Sequence, residues 1–200
     1  ELPDEPVSLA ATSNSYLEIQ CNRVRFTLAG TAAEEFPMLP EVSPAALVRL
    51  PAAVVANLIE RTMYAASVDE TRYNLNGVHF ELLEDGAKIR MVATDGHRLA
   101  LIDRQVAGGA NDLTSGVILP RKGLAELKRL VDEEDADEIE LGIEGNSALV
   151  RKNDVTLTMR LIEGEFPNYR QVMPKATTRR VTLSADALSS ALRRVALLSV

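Results

Sequence analysis

The chain predicts an α+β fold built of repeated domains, each with two helices packed on antiparallel sheets. Three observations carry that expectation. Short apolar runs alternate with period two and are joined by turn residues, the mark of half-buried antiparallel strands. Two stretches, 48–67 and 181–200, set apolar residues at i, i+3, i+4 and i+7, the stripe of a surface helix. The same two stretches stand 133 residues apart within a longer shared order, which marks an internal repeat.

Residues 1–40 carry the strand patterns Val7/Leu9, Leu17/Ile19 and Val24/Phe26/Leu28, and end in Glu35-Phe36-Pro37. Residues 138–174 do the same with Ile139/Leu141, Leu149 and Val155/Leu157/Met159, ending in Glu165-Phe166-Pro167, 130 residues on. Asn14-Ser15 and Asn146-Ser147 lie 132 apart. The stretch 48–67 reads as a short strand and then a helix over 51–66, with Val55, Leu58, Ile59, Thr62/Met63 and Ala66 on its apolar face. Pro51 suits its first turn. The stretch 181–200 reads the same way, with Ser184 as N-cap and Leu188, Ala191, Leu192, Val195 and Leu198 as the stripe.

Between the two come a loop at 67–76, strands at 77–83, 87–94 and 97–105, and a loop at 106–115. A strand at 116–119, a helix at 120–131, an acidic turn and strands at 138–142, 147–151 and 154–162 follow. A repeat unit of about 130 residues means that the chain holds about one and a half units. Residues 1–43 read as the tail of one domain, 44–175 as a complete domain, and 176–200 as the start of a third. Proline and polar residues at 38–44 and 173–180 mark the junctions. The first residue is Glu1 and the last segment stops inside a helical pattern, so the chain reads as cut at both ends.

Composition bounds the function. A 46% hydrophobic and 26% charged chain of 200 residues is an ordinary globular one, with no apolar run long enough for a membrane span and no secretory leader pattern. The expected location is the cytoplasm. The single cysteine, Cys21, excludes a disulfide or a cysteine-based zinc site within one chain. With only His79 and His97, a histidine-rich metal site is excluded too, and His79 reads as an exposed residue of a strand. Neither a metal nor a cofactor is expected. The net charge of −7 argues against a chain that coats nucleic acid with its whole surface, but leaves room for one basic face.

The most informative stretch is IRMVATDGHRLALI, residues 89–102. Two alternating arms flank Asp95-Gly96, a strong signal for a short hairpin whose turn residues tolerate positive φ. The turn is crowded with Thr94, Asp95, His97 and Arg98. Spacing alone fits an ordinary solvated hairpin as well as a recognition site on a rigid one.

The segment ATDGHRLA at 93–100 resembles the bacterial DNA sliding clamps, the beta subunits of DNA polymerase III. So do AEEFPMLP at 33–40, TRYNLNG at 71–77, VILPRKGLAELKRL at 117–130 and EGEFPNYRQVMPK at 163–175, in the same order. The resemblance implies the DNA-clamp fold, with helices lining a ring and sheets outside. It also implies a non-catalytic processivity factor, closed into a ring as a head-to-tail homodimer. The partners it implies are duplex DNA without regard to sequence, the catalytic subunit of DNA polymerase III and the clamp loader. Other polymerases and repair proteins that carry a clamp-binding peptide complete the set.

In the family such a peptide, with a leading Gln and trailing Leu and Phe-type residues, enters a pocket beside the hairpin. The matching positions are Arg72, Leu75, Thr94, Gly96, His97, Arg98, Leu99, Pro167 and Val172, with Met173 adjacent. Leu75, Leu99, Pro167 and Val172 suit an apolar slot, and Thr94, His97 and Arg72 suit its polar end. Gln171 stands where many relatives carry a basic residue.

Charge is segregated. The predicted helix at 120–131 carries Arg121, Lys122, Lys128 and Arg129 against Glu126, a net of +3, and the acids of 132–140 follow it. Arg193 and Arg194 lie off the apolar stripe of the last helix. Solvated helix faces would explain this, and so would a diffuse basic lining for duplex phosphates, which attracts without reading bases. The resemblance selects the second reading and adds Tyr73, in a loop that approaches DNA in relatives, although Asp69 and Glu70 nearby are unfavourable there. A rival reading is a hydrolase or phosphodiesterase with His97 as general base oriented by Asp95. No nucleophile elbow, P-loop, G-x-G-x-x-G or H-E-x-x-H accompanies that pair.

Overall fold

The computed structural model describes residues 2–12, 15–36, 47–132, 138–174 and 176–198. Two compact units emerge, Glu1–Gly164 and Glu165–Val200. The acidic turn at 133–137 and the whole first junction, 38–44, lie outside the described residues.

The first unit opens with an antiparallel meander, β1 (Val7–Ala11), β2 (Tyr16–Cys21) and β3 (Val24–Ala29). Leu9 pairs with Ile19 and Ile19 with Phe26, so alternation gathers the apolar side chains on one face. The rest of the unit is two copies of one plan: a strand ending in proline, a helix, and a three-stranded meander. The first copy is β4 (Val48–Pro51), α1 (Ala52–Glu60), β5 (Gly77–Leu83), β6 (Lys88–Thr94) and β7 (Leu99–Gln105). The second is β8 (Val117–Pro120), α2 (Arg121–Asp132), β9 (Glu138–Glu144), β10 (Ser147–Lys152) and β11 (Val155–Arg160).

The copies exchange their first strands. β4 pairs with β9 and β8 with β5, giving sheets ordered β11-β10-β9-β4 and β7-β6-β5-β8. Each exchanged strand lies at a sheet edge, where its terminal proline removes no needed ladder bond and leads straight into a helix. The core lies between helices and sheets. Val55, Leu58 and Ile59 of α1 and Leu124, Leu127 and Val131 of α2 are buried with Phe80, Ile89, Met91, Leu119, Leu141 and Val150. Gly123 costs α2 about 1 kcal/mol of propensity relative to alanine. The position needs glycine because a Cβ there would stand 2.9 Å from Met159 Sδ.

β2 and β3 are matched by β10 and β11 in length and at one constant spacing of 131 residues. Asn22 and Asn153 sit at corresponding turns, at φ of 53° and 50°.

Several boundaries differ from expectation. The predicted helix over 51–66 ends at Glu60, and Met63–Ala65 forms a separate 3-10 turn. Thr62, at φ −126°, breaks the run, and its hydroxyl donates to the Leu58 carbonyl at 2.7 Å. The predicted loop at 67–76 contains a 3-10 stretch, Glu70–Leu75. His79, expected exposed, is half-buried on β5. The strand expected before the last helix forms no ladder among the described residues, since a strand needs a partner.

The second unit contains a 3-10 turn, Tyr169–Gln171, and α3 (Ala185–Ala196). Ser184 caps α3, accepting from the Ala187 N–H at 3.4 Å. No described helix is long and apolar enough to cross a membrane.

Candidate functional site

The β6–β7 connection is a four-residue loop closed by the pair Thr94↔Leu99, not the two-residue turn that Asp95-Gly96 suggested. Of its residues only Gly96 takes positive φ, at 90°. Side chains do the rest. Thr94 Oγ1 accepts from the Gly96 N–H at 3.1 Å and donates to the Arg98 carbonyl at 2.7 Å. Asp95 Oδ1 accepts from the N–H groups of His97 and Arg98 at 2.9 and 3.0 Å, and its Oδ2 accepts from Arg98 Nε at 3.1 Å. These donors favour the charged carboxylate, the His97 N–H most and then the Arg98 N–H, and hold Asp95 down to about 2.

The loop is tied to the segment after α1. Arg98 Nη2 donates to the Tyr64 carbonyl at 2.7 Å. Arg72 Nη1 reaches the Asp95 carbonyl at 3.4 Å and would stand 3.2 Å from a Cβ at Gly96, so glycine keeps that approach open. Arg72 is held from its own side by Asp69, at 3.9 Å. Asp69 accepts from the hydroxyl and N–H of Thr71 at 2.7 and 3.0 Å, which lowers its pKa below the ordinary carboxylate value, with the Arg72 charge adding to the effect. Asn76 Nδ2 donates to the Asp69 carbonyl at 3.0 Å. The result is an open groove of about 280 Å³ with Arg72, His97 and Arg98 on its rim and Ala66, Ser67, Val68, Asp69 and Asp95 completing it.

Not every expected pocket residue faces that groove. Thr94 shapes the loop, Leu99 is half-buried, and Leu75 is only 8% exposed. Leu75 lies in the wall that carries Arg72, and its carbonyl accepts from the Ser67 N–H at 2.9 Å. Pro167, Val172 and Met173 lie in the second unit, all exposed, with Val172 ending the Tyr169–Gln171 turn. The His97–Asp95 dyad is not formed. Among the described residues no hydrogen bond joins the imidazole to that carboxylate, which is engaged by backbone and Arg98.

The basic helix is less basic than its sequence suggested. Asp132 belongs to α2, so the helix carries a net of +2. Lys128 pairs with Asp132, and Arg129 pairs with Glu126 at 3.0 Å. Arg121 and Lys122 in the first turn are exposed and make no ion pair among the described residues. A second groove, of about 300 Å³, lies beside them, formed with Ser67, Val68, Glu70, Asn76, Pro120 and Ile162. Tyr73 is 57% exposed, with its hydroxyl beside Gly164. On α3, Arg193 and Arg194 are exposed in the last turn.

Sequence reasoning missed Asp69 and Asp95 as the residues that brace the site. The signal was present, since a loop aspartate favours an Asx turn, its carboxylate accepting from the backbone N–H two residues on. It also missed Val68, which is 72% exposed and stands between the two grooves.

Residues 49–168 match the family model described as DNA polymerase III beta subunit, central domain. A beta sliding clamp of Vibrio cholerae is 34% identical over 198 residues, covering 99% of this chain and 53% of that relative. The crystal structure of the DNA polymerase sliding clamp from Bacillus subtilis aligns with a TM-score of 0.84 at 26% identity, covering 98% of this chain and 52% of that one. The sliding clamp of Bartonella birtlesii, solved bound to griselimycin, aligns at 0.80 and 31% identity over 96% of this chain and 52% of its own. The chain thus spans about half the length of the curated relatives it matches.

Proposed function

The chain belongs to the DNA polymerase III beta subunit family, the bacterial sliding clamps, and on that premise we propose that it works as a non-catalytic processivity factor. It encircles duplex DNA as part of a head-to-tail homodimeric ring in the cytoplasm. It tethers the replicative polymerase, receives the clamp loader, and serves other polymerases and repair proteins through short docking peptides. In this reading residues 44–175 are the complete middle domain, between the end of one domain (1–43) and the start of another (176–200).

The observation that carries the reading is the convergence of Arg72 with His97 and Arg98 on one groove, through the contact of Arg72 with the Asp95 carbonyl at 3.4 Å. These groups come from separate segments and meet on a loop that five hydrogen bonds pre-form. A pre-formed site with a few converging polar groups spends little free energy on ordering when a peptide enters. Gly96, Thr94, Leu99 and Leu75 shape and support it, and the exposed Pro167, Val172 and Met173 of the second unit contribute apolar contact to partners. Duplex phosphates are met by Arg121, Lys122, Lys128 and Arg129 of α2, by Tyr73, and by Arg193 and Arg194 of α3. Such contacts position DNA without reading its sequence and suit sliding.

The test is fluorescence anisotropy of a labelled Gln-Leu-Ser-Leu-Phe peptide titrated with the intact protein, beside the folded variants Arg72→Ala and Leu99→Ala. Binding in roughly the micromolar range, weakened about tenfold by either change, is the expected result. Binding that ignores both changes would move the site elsewhere, and no binding by the folded protein would overturn the docking reading.

A further inference from the structure

The hairpin groove shares part of its lining with a neighbour. Ser67 and Val68 line both it and the second groove, which runs on to the first turn of α2. The second groove mixes apolar walls, Val68, Pro120 and Ile162, with two exposed cations, Arg121 and Lys122. Glu70 is the one acid in its lining, so the positive sign prevails. The place is held rigidly, because the Arg121 N–H donates to the Asn76 carbonyl at 3.0 Å and Asn76 is bonded in turn to Asp69.

We infer that the second groove receives the flank of the docking peptide, an extended segment with acidic side chains, and that Arg121 and Lys122 determine specificity for it. The inference rests on the peptide-docking reading of the hairpin groove. Concavity and apolar walls favour a peptide as occupant. A duplex meets the rim cations but is too wide to enter, whereas a single extended chain lays alternate side chains against opposite walls. Partners whose docking motif has acidic neighbours would therefore bind more tightly than partners whose motif stands among neutral residues.

The experiment compares five labelled peptides on the intact protein: Gln-Leu-Ser-Leu-Phe alone, the motif with Gly-Asp-Glu-Asp added at one end or at the other, and the motif with Gly-Asn-Gln-Asn added at one end or at the other. The acidic extension at one end should tighten binding about fivefold over the bare motif at low salt, the size expected of two exposed ion pairs. The neutral extension should not. In Arg121→Ala/Lys122→Ala the ratio of extended to bare affinity should fall to about one, and high salt should do the same to the unmodified protein. If the bare motif binds but neither acidic extension helps, the inference is wrong while the docking reading stands. A gain that survives the double substitution, or an equal gain from the neutral extension, also overturns it. If the substitutions weaken only duplex binding and leave the ratio intact, the cations belong to DNA alone. If the bare motif fails to bind, the docking reading itself fails.

Discussion

The two βαβββ halves of the first unit share an order of strands and helices, and two of their differences bear on binding. Both lead from a proline-ended edge strand into a helix, and both bury apolar side chains of that helix in the common core. α1, however, carries no basic residue, whereas α2 carries four. The second difference lies in the last hairpin of each half. The β10–β11 turn is Asn153-Asp154, closed by Lys152↔Val155, and depends on Asn153 at φ 50°. The β6–β7 loop is two residues longer and depends on the side chains of Thr94 and Asp95. A turn made by a backbone angle presents nothing in particular. A loop made by capping side chains holds its neighbours, here His97 and Arg98, at set positions. The core pattern therefore builds the scaffold twice, and the groups fit for binding stand where the core does not constrain the sequence.

The largest effect tests the equivalence of the halves. Leu58→Ala in α1 and Leu124→Ala in α2 remove side chains that are 2% and 1% exposed. Each should cost about 2–5 kcal/mol in urea unfolding of the intact protein, by lost burial plus the cavity left. A negligible cost on one side alone would break the comparison.

The next effect separates the two hairpins. Asp95→Ala removes the acceptor that braces the loop and should weaken the Gln-Leu-Ser-Leu-Phe peptide about tenfold in the anisotropy assay, while Asp154→Ala leaves its affinity unchanged. Acid should act the same way. Asp95 is held at about 2, below its ordinary value of 3.8, so its contribution is complete above about pH 4 and is lost as pH falls through about 2. Asp103, opposite Arg90 in the β6–β7 ladder and bonded to its guanidinium at 2.7 Å, is shifted down as well. Carboxyl NMR titration should place Asp95 at about 2. Titration at the ordinary value would remove the bracing argument.

The smallest effect sharpens the contrast within α2. Each phosphate contact contributes about 0.9 to the slope of log affinity against log salt for duplex DNA. Arg121→Ala/Lys122→Ala should lower that slope by nearly two such contributions. Lys128→Ala/Arg129→Ala should lower it by less than half as much, because Asp132 and Glu126 already hold those cations. Equal slopes for the two variants would restore the four cations to one class.

Much of this was legible in the sequence. A strand was expected at each of β1 to β11, and β5 begins and ends where it was expected. The helix at 120–131 and the Ser184 cap of α3 were equally clear. The inner twofold plan was missed, although VRLP at 48–51 and VILP at 117–120 announced it. The four-residue loop was missed because Asp-Gly was read as backbone chemistry when Asp95 acts as an acceptor.

The sequence by itself determined where β1 to β11 lie, the helical stripes and the repeat, because each depends mainly on residue types along the chain. Only the tertiary structure decided what depends on distant segments. It exchanged β4 and β8 between the two halves, since an edge strand can satisfy its ladder with either meander. It laid Arg72 against Asp95 and Gly96, and Arg98 against the Tyr64 carbonyl. It buried Leu75 and left Val68 exposed. It also divided four equal-looking cations into two that are paired and two that make no ion pair among the described residues, because a charge is useful for binding only where its own helix has not already neutralised it.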